Sequence, residues 1–194
     1  MGKCYFKNLS IIQFGGDGFL IHEIIRRQNN IGYFIDLSAA LLKSIALRGG
    51  AARAKISQGY MSDISGLYSD EVQNEIRSNQ LNILWGTNHN IMIINTVIGT
   101  SIINCHNLQG PKGPLLLVDL ALKEKLEDQK NSVPYWIEQE VIIVNWLKYN
   151  SEMTDKILKQ VNLNRSNLKN EFQNYVKNND LSADWRKYAL KLIE

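Results

Sequence analysis

Asp17 stands among glycines in the run Phe14-Gly15-Gly16-Asp17-Gly18-Phe19, with Ile11 and Ile12 leading in and Leu20 and Ile21 leading out. Apolar arms around a glycine-rich centre describe two short strands joined by a tight turn, because glycine supplies the positive φ angles such turns need. A carboxylate at the tip of a rigid hairpin suits Mg²⁺, which takes carboxylate and phosphate oxygens together. Asp-Gly is equally a good turn dipeptide with no metal attached. Other candidates follow along the chain. Arg48, Arg53 and Lys55 flank a Gly-Gly pair and a short strand, where they would face phosphates, although an exposed strand face is the plainer reading for Lys55. His106 falls on a Gly-led helix, where packing or solvent exposure is the plainer reading. Asp119 closes an apolar run, a position that serves either a ligand at a strand end or the cap of the next helix.

The remaining chemistry is sparse. Cys4 and Cys105 are far apart and make no CxxC pair, so free thiols in a reducing compartment are expected. His22, His89 and His106 make no metal-ligand spacing. The net charge of +3 comes without a dense Lys/Arg stripe interleaved with aromatics, so the sequence gives no clear sign of nucleic-acid binding. No apolar run reaches the length of a membrane span, and the first residues lack the shape of a signal peptide. A cytoplasmic protein with no membrane partner is the expectation. The 194 residues, 44% apolar and 21% charged, suffice for one domain with a real core and a helical appendage.

The elements that must hold these residues are legible in outline. Residues 10–24 read as the hairpin and 26–32 as a polar loop. Residues 33–47 read as a helix, with Phe34, Leu37, Leu41, Leu42 and Ile45 as its core face and Gly49-Gly50 as its stop. Residues 51–57 read as a short strand with Ala52, Ala54 and Ile56 on one side and Arg53 and Lys55 on the other. Turn chemistry covers 60–69, a short polar helix 70–79, and two apolar bursts at 81–85 and 91–94 pair as strands. Gly99 opens a helix whose N-cap falls near Thr100 or Ser101 and whose buried side is Ile102, Ile103, Cys105 and Leu108. After the Gly-Pro break at 110–114 come an apolar strand ending at Asp119, a charged helix over 120–128, and a second apolar strand at 141–146. Residues 151–178 and 183–193 read as amphipathic helices, with Ile157, Leu158, Val161, Leu168, Phe172, Tyr175 and Val176 as core contacts. Trp85, Trp136, Trp146 and Trp185 are read as core or interface anchors. The order predicts an α+β fold, one sheet covered by helices, with a boundary near residue 150.

Four segments together carry a resemblance. They are 13–21 (Gln-Phe-Gly-Gly-Asp-Gly-Phe-Leu-Ile), 47–59 (Leu-Arg-Gly-Gly-Ala-Ala-Arg-Ala-Lys-Ile-Ser-Gln-Gly), 98–108 (Ile-Gly-Thr-Ser-Ile-Ile-Asn-Cys-His-Asn-Leu) and 113–119 (Gly-Pro-Leu-Leu-Leu-Val-Asp). In this order they resemble the catalytic domain of class III adenylate/guanylate cyclases, nearest to the small stand-alone bacterial forms that include the Pycsar-type pyrimidine cyclases of phage defence. The resemblance covers roughly residues 11–120. It implies a ferredoxin-like palm sheet over residues 1–150 and a C-terminal helical tail, 151–194, packed on it. It also implies Mg²⁺ or Mn²⁺ at Asp17 and a nucleoside triphosphate or cyclic nucleotide as ligand. Gly15, Gly16, Gly18, Phe19, Arg48, Arg53, Asn104 and Asn107 would then be nucleotide-binding positions. A homodimer or a partner cyclase chain is the implied assembly.

The sequence departs from that family at definite places. The family's first strand brings a second metal-binding Asp upstream of the hairpin, whereas residues 1–16 contain no Asp or Glu. The first strand and its helices therefore read as missing or much shortened. Aligning on Gly99 puts Ile103 where many cyclases carry an Asn and Asn107 where they carry an Arg, with Asn104 one residue off. Two-metal phosphoryl chemistry needs both acids and a cation for the transferring group. A partner chain would have to supply them, or the strand at 141–146 would have to fill the vacant position and bring Asn145 near Asp17. Three expectations follow: a cyclase forming a 3′,5′-cyclic nucleotide, a degenerate nucleotide-binding or dimerisation module that regulates a partner, and an interaction protein that keeps only the fold.

Overall fold

A computed structural model of the chain describes residues 9–14, 18–23, 31–60, 62–63, 70, 97–129 and 132–194. In chain order the elements are β1 (Leu9–Phe14), β2 (Gly18–Glu23), α1 (Ile31–Ala46), β3 (Ala54–Ile56), β4 (Ser62–Asp63), β5 (Val97–Ile98) and α2 (Thr100–Asn107). There follow β6 (Leu116–Asp119), a 3₁₀ turn (Leu120–Leu122), α3 (Lys123–Glu127), β7 (Tyr135–Glu138) and β8 (Val141–Val144). The chain ends with α4 (Glu152–Gln160), a 3₁₀ turn (Arg165–Asn167), α5 (Leu168–Asn178) and α6 (Ala183–Ile193). The fold is α+β. The described residues divide into two compact units, one from 1–28 and 59–102, the other from 29–58 and 103–194.

In the first unit β1 and β2 make the expected antiparallel hairpin, in register from Leu9 opposite Glu23 to Phe14 opposite Gly18. Among the described residues the hairpin is a two-stranded sheet of its own. Residues 62–63, expected as turn, instead pair with β5. Gly59 is needed at the entry to α2, because a Cβ there would lie 2.4 Å from the Ser101 nitrogen. Tyr60 N donates to Thr100 Oγ1 at 2.9 Å, and Ser101 N donates to the Tyr60 carbonyl at 3.3 Å. The expected elements at 70–79, 81–85 and 91–94 lie outside the described residues, apart from Asp70.

The second unit is built on a four-stranded sheet of order β3-β6-β8-β7. β3 runs parallel to β6, while β6–β8 and β8–β7 are antiparallel. Leu116, Leu117 and Val118 of β6 and all four residues of β8 are fully buried. Side chains alternate across a strand, so total burial demands cover on both faces. α1 packs against β3, α4 and α5, and Ile35, Ala39, Leu42, Leu168, Phe172 and Val176 join the same core. Trp146 is also buried there, edge-on to Phe172, with Nε1 donating to the Pro114 carbonyl at 2.7 Å. The segment 151–194 thus shares its unit with the sheet and α1.

Four local readings need correction. The core face of α1 runs through Ile31, Ile35, Ala39, Leu42 and Ala46, leaving Leu41 and Ile45 exposed at 42% and 37%. Small alanines let neighbouring helices approach closely, and a count of large apolar side chains overlooks them. None of α2's residues is buried, and Ile103 is 56% exposed. The helix expected over 151–178 is two helices. Asn162 adopts φ 57°, Leu163 N returns to the Leu158 carbonyl and Asn162 N to that of Lys159, a left-handed stop usually made by glycine. The same motif with Gly49 at φ 77° ends α1 as expected. Finally, residues 135–138, to which the sequence assigns no element, form β7. Its two-residue turn to β8 places Gln139 and Glu140 at φ 53° and 58°, a type I′ geometry without the usual Asn or Gly.

α6 is tied to that hairpin through one carboxylate. Glu138 accepts from Tyr188 Oη at 2.5 Å, Lys191 Nζ at 3.0 Å and Trp136 Nε1 at 3.2 Å. These donors, Tyr188 first, hold Glu138 below the usual glutamate range, and the bond to Glu138 pushes Tyr188 up to about 12.

Two predictions follow from the hairpin. Replacing Gln139-Glu140 by Asn-Gly relieves two left-handed non-glycine residues and raises stability by about 1 kcal/mol, read by urea denaturation; an unchanged or lower midpoint refutes this. Glu138→Gln lowers stability by about 1 kcal/mol at neutral pH. A depressed carboxylate stabilises above its unfolded pKa and loses that contribution as pH falls, so the deficit closes below about pH 4. A deficit independent of pH would contradict the assignment.

Candidate functional site

Among the sequence candidates, Arg53, Lys55, Asn104, His106 and Asn107 gather along one strip of the second unit, where β3 and the residues after it run beside the C-terminal half of α2 and residues 108–110. Arg53 reaches across this strip, its Nη2 donating to the Gly110 carbonyl at 3.2 Å. Its Nε is buried and has no partner among the described residues. Burial lowers the guanidinium's pKa. Gly110 keeps the crossing open, since a Cβ there would meet Val141 Cγ1 at 2.9 Å. Lys55 Nζ donates to the His106 carbonyl at 3.1 Å, near the negative end of α2. Asn104 Nδ2 donates to the Gln58 carbonyl at 3.1 Å, and Lys125 Nζ reaches the Gln58 side-chain oxygen at 2.6 Å. Asn107 ends α2, exposed, with Oδ1 3.4 Å from His106 Nδ1. Cys105 Sγ lies 3.6 Å from the Lys55 carbonyl, and burial pushes its thiol up.

The strip is basic, through Arg53, Lys55 and Lys125, yet each of these cations already contacts a carbonyl or amide oxygen. Their immediate effect is to lash α2 and the following loop to the edge of the sheet. Arg48 stands apart from them, exposed in the turn after α1. Asp17, Gly15 and Gly16 lie outside the described residues, in the three-residue connection closed by Phe14 opposite Gly18. Gly18 and Phe19 begin β2, with Phe19 opposite Gln13. Asp119 takes the capping role, its Oδ1 accepting from Ala121 N at 3.0 Å. Asn145 is buried, donating to the Leu192 carbonyl at 3.2 Å and accepting from Lys148 N at 3.1 Å, so its amide is spent inside the second unit. Among the described residues no three His, Cys, Asp or Glu side chains come together as a metal site. Those residues therefore offer no site for Mg²⁺ or Mn²⁺, and Asp17, the expected ligand, lies outside them. No described helix is long and apolar enough to cross a membrane.

The sequence reading overlooked Lys43. The sequence marks it only as helix-favouring, and it is fully buried on α1. Its ammonium donates to the Tyr149 carbonyl and to Asn150 Oδ1, the latter at 3.3 Å. Around it Tyr149 Oη donates to Asp36 at 2.7 Å, and Arg165 pairs with Asp155 at 3.1 Å. Burial, and secondarily Arg165, lowers Lys43 to about 8, with Asp155 opposing. A charged residue inside an otherwise apolar face of α1 was the available signal.

No family model matches the chain, and no curated protein or solved structure matches it.

Because the folded state disfavours the charged form of Lys43, the unfolded chain binds more protons between about pH 8 and the ordinary lysine value of 10.5. Stability then rises across that window, by about 3 kcal/mol. Lys43→Met should show a flatter profile. Parallel profiles of wild type and variant in urea melts would contradict a depressed Lys43.

Proposed function

We propose that this chain is a nucleotidyl cyclase-like domain that binds a nucleoside triphosphate, with a divalent metal, at the β1–β2 turn, in cyclic-nucleotide signalling or phage defence. The observation that carries the reading is the hairpin, whose register closes at Phe14 opposite Gly18 and leaves Gly15, Gly16 and Asp17 as its entire connection. Such a short glycine-rich turn lets phosphates come close to the backbone and puts an acid beside them. The order of hairpin, helix, Arg-Gly-Gly, strand, Gly-led helix and apolar strand supports a palm of ferredoxin-like descent. When bound, Mg²⁺ or Mn²⁺ would screen the triphosphate and polarise its oxygens.

The composition of the site favours binding over turnover by one chain. Residues 1–16 hold no second acid, Asn107 stands at the place of the family's arginine, and Asn104 is engaged with the Gln58 carbonyl. A second copy or a partner cyclase would complete the acids. The alternative reading is a regulatory module that binds nucleotide and never turns it over.

Titration of ATP, GTP, CTP and UTP with Mn²⁺ into the chain, beside Asp17→Ala, tests the proposal by calorimetry. Metal-dependent binding of one nucleotide, weakened at least tenfold in Asp17→Ala, is the expected result. Absence of binding to all four would overturn a nucleotide site in this chain.

A further inference from the structure

Asn150 lies in the segment between β8 and α4, exposed to solvent, and its side chain is held from three sides. Oδ1 accepts from Arg165 Nη1 at 2.6 Å and from Lys43 Nζ at 3.3 Å, while Nδ2 donates to the Lys148 carbonyl at 3.0 Å. The charged groups facing this point are Lys43 and Asp36 on α1, Asp155 on α4 and Arg165 on the 3₁₀ turn before α5. Asp155 pairs with Arg165, and Asp36 accepts from the Tyr149 hydroxyl. Two cations thus converge on one neutral oxygen. Hydrogen bonds from cations polarise an amide carbonyl as oxyanion-hole donors do, and they stabilise the negative oxygen formed when a nucleophile adds to its carbon. The next residue, Ser151, is small and brings its main-chain nitrogen next to that side chain in sequence. The chain has one other Asn-Ser pair, at 131–132, and no Asn-Gly.

We propose that Asn150 is a modification site: it deamidates in the folded protein, and the carboxylate formed completes a cation–carboxylate–cation clamp between α1 and the α4–α5 connection. The Ser151 main-chain nitrogen attacks the Asn150 side-chain carbonyl carbon and closes a five-membered imide. The side-chain nitrogen leaves as ammonia, taking up the proton released by the main-chain nitrogen. Water then adds to an imide carbonyl and breaks one C–N bond, giving aspartate or isoaspartate. At the aspartate the new negative charge meets Lys43 and Arg165 and offsets the cost of keeping the Lys43 ammonium away from water. Conversion to aspartate here tightens the fold, whereas the isoaspartate branch, which lengthens the backbone, does not form the clamp.

The test follows deamidation by peptide mass mapping at neutral pH, where Lys43 keeps its charge, in the folded protein and in the chain unfolded by urea. The expected result is several-fold faster conversion at Asn150 in the folded protein than in urea. Arg165→Met, which removes an exposed side chain, slows it several-fold, and Asn150→Asp raises Tm by several degrees. Conversion in the folded protein no faster than in urea, or unchanged in Arg165→Met, would overturn the chemistry. A Tm for Asn150→Asp at or below wild type would overturn the clamp.

Discussion

Complete burial of β6 and β8 is the constraint from which the second unit follows. Seven consecutive-face residues, Leu116 to Val118 and Val141 to Val144, have no access to water. A strand presents its side chains alternately to two faces, so neither face can be left to solvent. α1, α5 and α6 supply much of the apolar cover, with Phe172 of α5 edge-on to Trp146. Elsewhere the cover is close enough to exclude side chains: Gly110 approaches Leu117 and Val141, and Gly113 approaches the Tyr188 Cβ. Those two glycines sit in the loop that the sequence marks only as a break.

Polar groups are used in this unit to join elements that apolar packing alone would leave free to slide. Glu138 gathers Tyr188, Lys191 and Trp136 and sets α6 on the β7–β8 hairpin. Asn145 repeats that role at the other end of β8 by holding the Leu192 carbonyl. Lys43 joins α1 to residues 149–150 at the cost of burying an ammonium, which its neighbours offset through two oxygens and an indirect carboxylate. Arg53 and Lys55 bind the strip after α2 to β3 in the same manner. Arg53 and Lys55, which suggest phosphate contacts, therefore have architectural partners, and the proposed nucleotide site is confined to the β1–β2 turn.

That distribution gives the proposed function its particular form. A metal-nucleotide site at one turn with a single acid is consistent with binding and depends on further carboxylates for turnover. The acid at position 17 and the glycines beside it are costly choices for a merely structural turn only in the sense that many other residues would serve; their order with the segments that follow is what supports a cyclase-like origin.

The sequence by itself determined the hairpin, both apolar strands, the stop at Gly49 and the capping option at Asp119. Each depends on interactions within a few residues: alternation, glycine's access to positive φ, or a side chain reaching a nearby backbone nitrogen. Among the candidate site residues, the position of Asp17 between two strand arms was likewise legible. Only the tertiary structure decided which face of α1 is buried, because Ala39 and Ala46 matter through the helices that meet them. It also decided that Gln139-Glu140 makes a left-handed turn, since the pairing of Tyr135 through Glu138 with β8 imposes it. The burial of Lys43 and the engagement of Arg53, Lys55 and Asn104 were likewise beyond sequence reading. Their partners lie some 46 to 107 residues away along the chain, and no local pattern encodes a contact at that separation.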